Sequence, residues 1–307
     1  MVTQVVEIAE DGNHLSKHRG FMVVRCGDDE TGRVPLDDMT ALILTAHQIT
    51  LSKALMTALA GRGVPVITSG ANYHPLAITL PYGNHYDNTG VLWLQIETGL
   101  PLQKRLWQAV VREKISNQRI IMEYFAPDSP ELDELRLLGR RVRSGDTQNL
   151  EAQAARYYWP VMFGPAFRRD RETGIENVML NYGYSILRAA TARAVCGAGL
   201  TPALGIHHHN RKNSFALADD LMEPFRPLVD KVVRQICNEN NQRTDASLSV
   251  EDKRRLSRIL DLDVRSEKGT STLMNALNRL AQTLVNSLNE KSSNLEFPSI
   301  LPAGSLL

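Results

Sequence analysis

The segment GIHHHNRKNSFALADDLMEPFRP, from Gly205 to Pro227, gathers three histidines, two aspartates and a glutamate around Arg211 and Lys212. Neutral imidazole and carboxylate both bind divalent metals. In extended backbone, alternate side chains point to opposite sides, so His207 and His209 share one side and His208 takes the other. Asp220 and Glu223 stand three apart and would share a face in a helix. Two carboxylates and one imidazole can hold Mg2+ or Mn2+ and leave positions open for substrate oxygens. A plainer reading competes with this one. The histidines would then be a solvated loop, and Asp220 an N-cap with Glu223 in a capping-box-like position before Pro224. The two readings are compatible, because a helix N-terminus favours carboxylates.

A third acid, Glu151, lies in NLEAQAARYYWP, where Ala152, Ala154 and Ala155 would let another backbone approach closely. Taken alone, this stretch reads as a surface glutamate on an amphipathic helix. Basic runs recur at LGRRVRSG (Leu138 to Gly145), FRRDRE (Phe167 to Glu172) and DKRRLSR (Asp252 to Arg258). Such runs are usually solvated helix faces, but beside a divalent-metal site they suit a phosphodiester substrate. No Ser/His/Asp or Cys/His arrangement is recognisable. The three cysteines, Cys26, Cys196 and Cys237, form no CxxC pair and read as reduced thiols of a cytoplasmic protein.

The elements that must position these groups fall into two kinds. QVVEI, GFMVVRCG, GRVPLDDMTALILT, PVITSG and LAITLP are short, rich in Val, Ile and Thr, and separated by turn residues. One helix interrupts them, LSKALMTALAGRG, capped by Thr50 or Ser52 and ended by Gly61 or Gly63. PYGNHYDNTG (Pro81 to Gly90) reads as a linker. Beyond it the pattern is helical: Leu102, Leu106, Val110 and Ile115 recur at helical spacing, and six further helical segments follow. The expected fold is α+β, a small β-rich N-terminal domain followed by a larger all-α C-terminal domain. The boundaries read as 1–84 for the β-rich domain, 85–92 for the linker and 93–307 for the helical domain, with an irregular, mobile tail from Ser292 onward. A chain of 307 residues with 43% hydrophobic content has the material for two such cores. A net charge of +1 gives no bulk sign of nucleic-acid binding, which must come from local patches or from an oligomer. No signal peptide and no membrane span of about 18 apolar residues is expected.

Taken in order, LEAQAARYYWP, LNYGYSILRA, GLTPALGIHHHN and FALADDLMEPFRPLVD resemble the CRISPR-associated spacer-acquisition integrases, the larger of the two core adaptation proteins of CRISPR immune systems. ALILTAHQITLSKALMTALAGRGVPVITS is similar to the same family. The resemblance runs from about Asn13 to about Leu288, and the HHHN element with the chain length suggests the form that accompanies single-effector (type II) systems. It implies a catalytic metal site of Glu151, His208 and Glu223, with Asp220 a further acidic candidate and His207 the alternative register to His208. It implies Mg2+ or Mn2+ as cofactor and strand transfer as chemistry, a 3′-hydroxyl of a short foreign duplex attacking a phosphodiester at a repeat border. Arg211 and Lys212 become candidate DNA contacts. The implied partners are double-stranded DNA, a second copy in a homodimer formed through the N-terminal domain, the small second adaptation protein, and the effector nuclease as a further candidate. Two other functions fit the residues: a metal-dependent nuclease hydrolysing branched or single-stranded DNA, and a non-catalytic DNA-binding scaffold.

Overall fold

The run MTALIL explains how the N-terminal part is built. It forms strand β5 (Met39–Leu44), and all six of its residues are buried, as expected of a strand covered on both faces. A computed structural model describes residues 4–70, 75–81, 87–170, 174–239, 248–266 and 269–300 of the chain. β5 sits inside a four-stranded sheet with β1 (Gln4–Ile8), β7 (Val66–Ser69) and β8 (Pro75–Thr79), in the order β1-β5-β7-β8. Only β8 pairs antiparallel. A second sheet has the order β4-β3-β2-β6, from β2 (Asn13–His18), β3 (Phe21–Cys26), β4 (Asp29–Pro35) and β6 (Ile49–Leu51).

Helix α1 (Lys53–Gly61) follows β6, and the Ser52 hydroxyl accepts the Leu55 N–H as its N-cap. Leu15, Met22, Leu36, Leu42, Leu55 and Leu59 form the core of this region. The expected long strand GRVPLDDMTALILT is divided by a 3-10 turn at Leu36–Asp38. Strand β2 was not expected, because Leu15 is the only apolar side chain in NHLSKH.

The second region is mostly helical: α2 (Asn88–Glu97), α3 (Leu100–Phe125), α4 (Glu131–Arg141), α5 (Leu150–Phe163), α6 (Ile175–Gly197), α7 (Ala216–Met222), α8 (Arg226–Glu239), α9 (Val250–Ser257) and α10 (Leu273–Glu290). It differs from an all-α domain in three short strands, β9 (Asp263–Ser266), β10 (Gly269–Thr272) and β11 (Ser299–Ile300), paired in the order β10-β9-β11. The expected irregular tail is therefore partly a strand, with Ile300 buried; residues 301–307 lie outside the described residues. The expected linker at 85–92 also differs. Asp87 caps α2 through the Gly90 N–H, so the helix already runs from Asn88, while residues 82–86 lie outside the described residues.

α6 is the central helix, buried on nearly all sides. Gly183 makes this packing close: a Cβ there would stand 2.5 Å from Val229 Cγ1 of α8. The β-rich and helical regions meet at a buried polar junction. The Glu7 carboxylate of β1 accepts from Thr45 Oγ1 at 2.7 Å, Lys253 Nζ of α9 at 2.8 Å and Tyr182 OH of α6 at 2.8 Å. No helix among the described residues is long and apolar enough to cross a membrane.

Candidate metal centre

α5 begins at a strained connection. Asp146 and Asn149 both have positive φ, at 45° and 51°, and Gly145 has φ 77°. The strain is held by capping. The Asp146 carboxylate accepts the N–H groups of Leu150 and Glu151 at 2.9 and 3.0 Å, and Asn149 accepts that of Ala152. Glu151 is thereby fixed in the first turn, facing α3.

Lys114 of α3 meets it there. The Lys114 ammonium is 2.5 Å from Glu151 Oε1 and 2.5 Å from Glu223 Oε2. The first contact is a hydrogen bond; the second is an ion pair without hydrogen-bond geometry, which leaves the buried Glu223 Oε2 with no hydrogen-bond partner. Glu223 opens a 3-10 turn (Glu223–Phe225) between α7 and α8, pinned to α3 by Asn117 Nδ2 donating to the Pro224 carbonyl at 2.8 Å. Arg226 supplies the other partner, 2.6 Å from Glu223 Oε1.

The electrostatics follow from this crossing. Burial alone would raise the Glu223 carboxyl, but Arg226 and Lys114 overcome it and hold it at about 2. Burial alone would lower the Lys114 ammonium, but Glu223 and Glu151 together leave it raised. The network continues inward. The Arg226 guanidinium lies 4.2 Å from the Tyr184 ring centroid, and Tyr184 and Tyr158 both donate to the Asp230 carboxylate. Burial pushes Asp230 up to about 6 in spite of those bonds. Tyr158 lies on α5, seven residues after Glu151, so the sequence of contacts returns to the helix where it began.

The histidines sit on the loop between α6 and α7, and that loop is built on Asp220. Asp220 lies inside α7 rather than at its N-cap, which is Phe215, and is fully buried. Its carboxylate accepts the His207 backbone N–H at 2.8 Å and bonds the Nδ1 of His208. Gly205 gives the loop its tight path, since a Cβ there would meet the His208 carbonyl at 2.4 Å. A second anchor holds the far side, where Arg188 of α6 binds Asp219 and Asn213.

The two central histidines differ in their surroundings. The His207 ring stacks on Trp107 of α3, with centroids 4.3 Å apart and 3° between planes, and burial together with the neighbouring His208 lowers its pKa. The His208 ring is 48% exposed, and its bond to Asp220 raises its pKa. Because Nδ1 is committed to Asp220, Nε2 is the nitrogen left for a ligand. His209, Arg211 and Lys212 are exposed on the same loop.

Glu151 and Glu223 thus converge on one cation, and His208 stands on the adjoining loop. Among the described residues, no three His, Cys, Asp or Glu side chains are placed to hold a metal ion as they stand. The donor set nevertheless suits a hard divalent ion: two carboxylates, one imidazole nitrogen, and a buried carboxylate oxygen lacking a hydrogen bond. Burial pushes the thiols of Cys196 and Cys237 up to about 11, and the exposed Cys26 lies in β3 of the β-rich region.

An open cleft of about 880 Å³ lies between α3, α4 and the connection into α5. Lys104, Arg105, Arg112, Arg140, Arg141 and Arg143 line it, with no carboxylate among its lining residues. Gln108 and Arg112 donate to the Val142 carbonyl at 2.7 and 2.8 Å and so hold that connection against α3.

Sequence reasoning singled out LGRRVRSG as basic but missed Lys114, Trp107, Asp146 and Arg226. Lys114 had a signal. It falls on the buried α3 stripe that starts with Trp107, Val110 and Val111.

The profile of the family described as CRISPR associated protein Cas1 matches residues 6–259. The CRISPR-associated endonuclease Cas1 of Neisseria meningitidis serogroup C (strain 8013) is 34% identical over 296 residues, 96% of each chain. A casposase bound to integration product has the same fold, with a TM-score of 0.80 and 20% identity over 96% of this chain and 93% of that one. A chain of a Cas6-RT-Cas1--Cas2 complex matches with a TM-score of 0.74 and 22% identity over 98% of this chain and 36% of that one.

Proposed function

The chain belongs to the CRISPR-associated Cas1 family, and from that premise we propose that it is a divalent-metal-dependent DNA integrase and endonuclease that inserts short foreign duplexes into a CRISPR array. The whole-length match to the Neisseria protein is consistent with a type II-like form. The observation that carries the reading is the convergence of Glu151 and Glu223 on one cation beside a histidine aimed by a buried aspartate.

Glu151, Glu223 and His208 Nε2 are the ligands. Asp220 spends both oxygens on the loop and on His208, so it orients the imidazole rather than binding the ion. There these residues would hold Mg2+ or Mn2+, which would supply Lewis acidity for the scissile phosphate and the attacking 3′-hydroxyl. The protein contributes no nucleophile. The arginines of the cleft bind the phosphodiester backbone, and Arg211 and Lys212 contact it from the histidine loop. The likeness to a chain from a complex with Cas2 supports a small second adaptation protein as partner. A homodimer through the β-rich region and a cytoplasmic site of action belong to the same proposal, and the effector nuclease is a further partner to test.

The test mixes the protein and its small partner with a labelled short duplex, a supercoiled plasmid carrying the repeat, and Mn2+. Wild type moves label into the plasmid; His208→Ala and the wild type with chelator do not. Cleavage without label transfer would make the protein a hydrolase. Equal behaviour of wild type and variant, with or without chelator, would make it a DNA-binding scaffold.

A further inference from the structure

Lys114 is an ammonium on the buried stripe of α3, at the point where two carboxylates from different elements meet. Its Nζ is 2.5 Å from an oxygen of each. The Glu223 side chain is only 7% exposed, and the Lys114 ammonium is the close partner of its Oε2. Without a cation between them, the buried Glu223 and the partly buried Glu151 carboxylates would repel each other, with little solvent on Glu223 to screen them. The lysine removes that penalty in the metal-free protein.

A metal ion bound to the same two oxygens at about 2.1 Å would fall on the ammonium or directly beside it. Two cations cannot share that space. From this geometry, and resting on the metal-centre reading above, we propose that Lys114 is a resident counter-ion that keeps the carboxylate pair assembled before metal arrives and is expelled from it when metal binds. Its role is positioning. The lysine leaves as an ammonium on a flexible four-carbon stem, and no bond is made or broken. Arg226 stays on the other oxygen of Glu223, so a divalent ion replacing the lysine raises the charge at the carboxylate pair by one.

Lys114→Met keeps the stem and removes the competitor. The probe is Mn2+ alone, titrated against full-length wild type and variant, with free Mn2+ read by electron paramagnetic resonance. The variant should bind Mn2+ about tenfold more tightly, because no ion pair has to be broken first. It should also melt lower than wild type without metal and recover more on Mn2+ addition. A second measurement needs no variant. Wild type is acylated by an amine-reactive reagent, and the extent at Lys114 is read by mass spectrometry. Lys114 should be protected without Mn2+ and modified faster with it. Equal or weaker Mn2+ binding by the variant, or protection of Lys114 unchanged by bound Mn2+, overturns the proposal and leaves the metal centre standing. If neither protein binds Mn2+, the metal centre itself falls, and this role with it.

Discussion

Asp220→Asn is the substitution that most sharply separates holding a loop from orienting a ligand. Asparagine keeps an oxygen that can accept the His207 N–H, 2.8 Å away in the wild type, so the path of the loop should survive. The negative charge facing His208 Nδ1 is lost. A hydrogen bond to a charged group contributes about 1.5–3 kcal/mol, and one pKa unit is about 1.4 kcal/mol. The His208 ring is 48% exposed, and solvent screening reduces the expected effect to about 1 kcal/mol.

The wild-type imidazole is raised above its ordinary value chiefly by this bond. Its contribution to stability is therefore fully present below the ordinary histidine pKa and is lost as pH rises through the folded value. Two measurements follow. Imidazole NMR titration should show the His208 pKa falling in the variant. Chemical denaturation should show a stability loss of about 1 kcal/mol at about pH 5.5 that shrinks toward about pH 8.5. An unmoved His208 titration with a pH-independent loss would refute the reasoning. Asp220 would then act on the loop backbone alone, and the proposed aiming of Nε2 would have no support.

Glu223→Gln should flatten the acid limb of stability. The wild-type carboxyl is held at about 2, so its contribution is present above the ordinary carboxylate range and disappears as pH falls from there toward that value. At neutral pH the same variant leaves Lys114 and Arg226 sharing one fewer charge and should lose about 3 kcal/mol by urea denaturation. Gly205→Ala places a methyl group 2.4 Å from the His208 carbonyl. It should abolish strand transfer while lowering stability by only about 1–3 kcal/mol, as read by calorimetry beside the plasmid assay. Arg140→Ala with Arg143→Ala should weaken binding to DNA of any sequence, and the log–log salt slope from fluorescence anisotropy should fall by about 0.9 per lost phosphate contact.

The order of a β-rich region and then a helical one was legible because β5 and α3 carry strong, different periodicities. Strand β2 was not legible, because its one buried apolar residue, Leu15, is too little pattern to read. β9 and β10 were hidden for the same reason: DVRS and GTST are short and polar, and tertiary pairing alone makes them strands. At the site, spacing offered Asp220 and Glu223 as one helical face. The backbone stays helical through both, and what spacing does not show is that Asp220 lies buried against the histidine loop while Glu223 meets Lys114 of α3. Glu151 looked like a surface residue because local sequence says nothing about Lys114, 37 positions earlier. His207 and His208 are indistinguishable as letters. Trp107 and Asp220 tell them apart, and both contacts need the folded chain.

The circuit from Glu151 through Lys114, Glu223, Arg226, Tyr184 and Asp230 to Tyr158 has a consequence for engineering. Buried ionic clusters are often matched or exceeded in stability by hydrocarbon of the same shape, and most of this circuit is buried. A version of this circuit rebuilt from leucine, methionine and phenylalanine should fold at least as tightly, and it should be chemically dead. Consensus or stability-guided redesign would therefore be drawn first to the residues it must not touch. Thermostabilised variants of this protein should be sought at its surface and in the β-rich core, with these seven positions held constant.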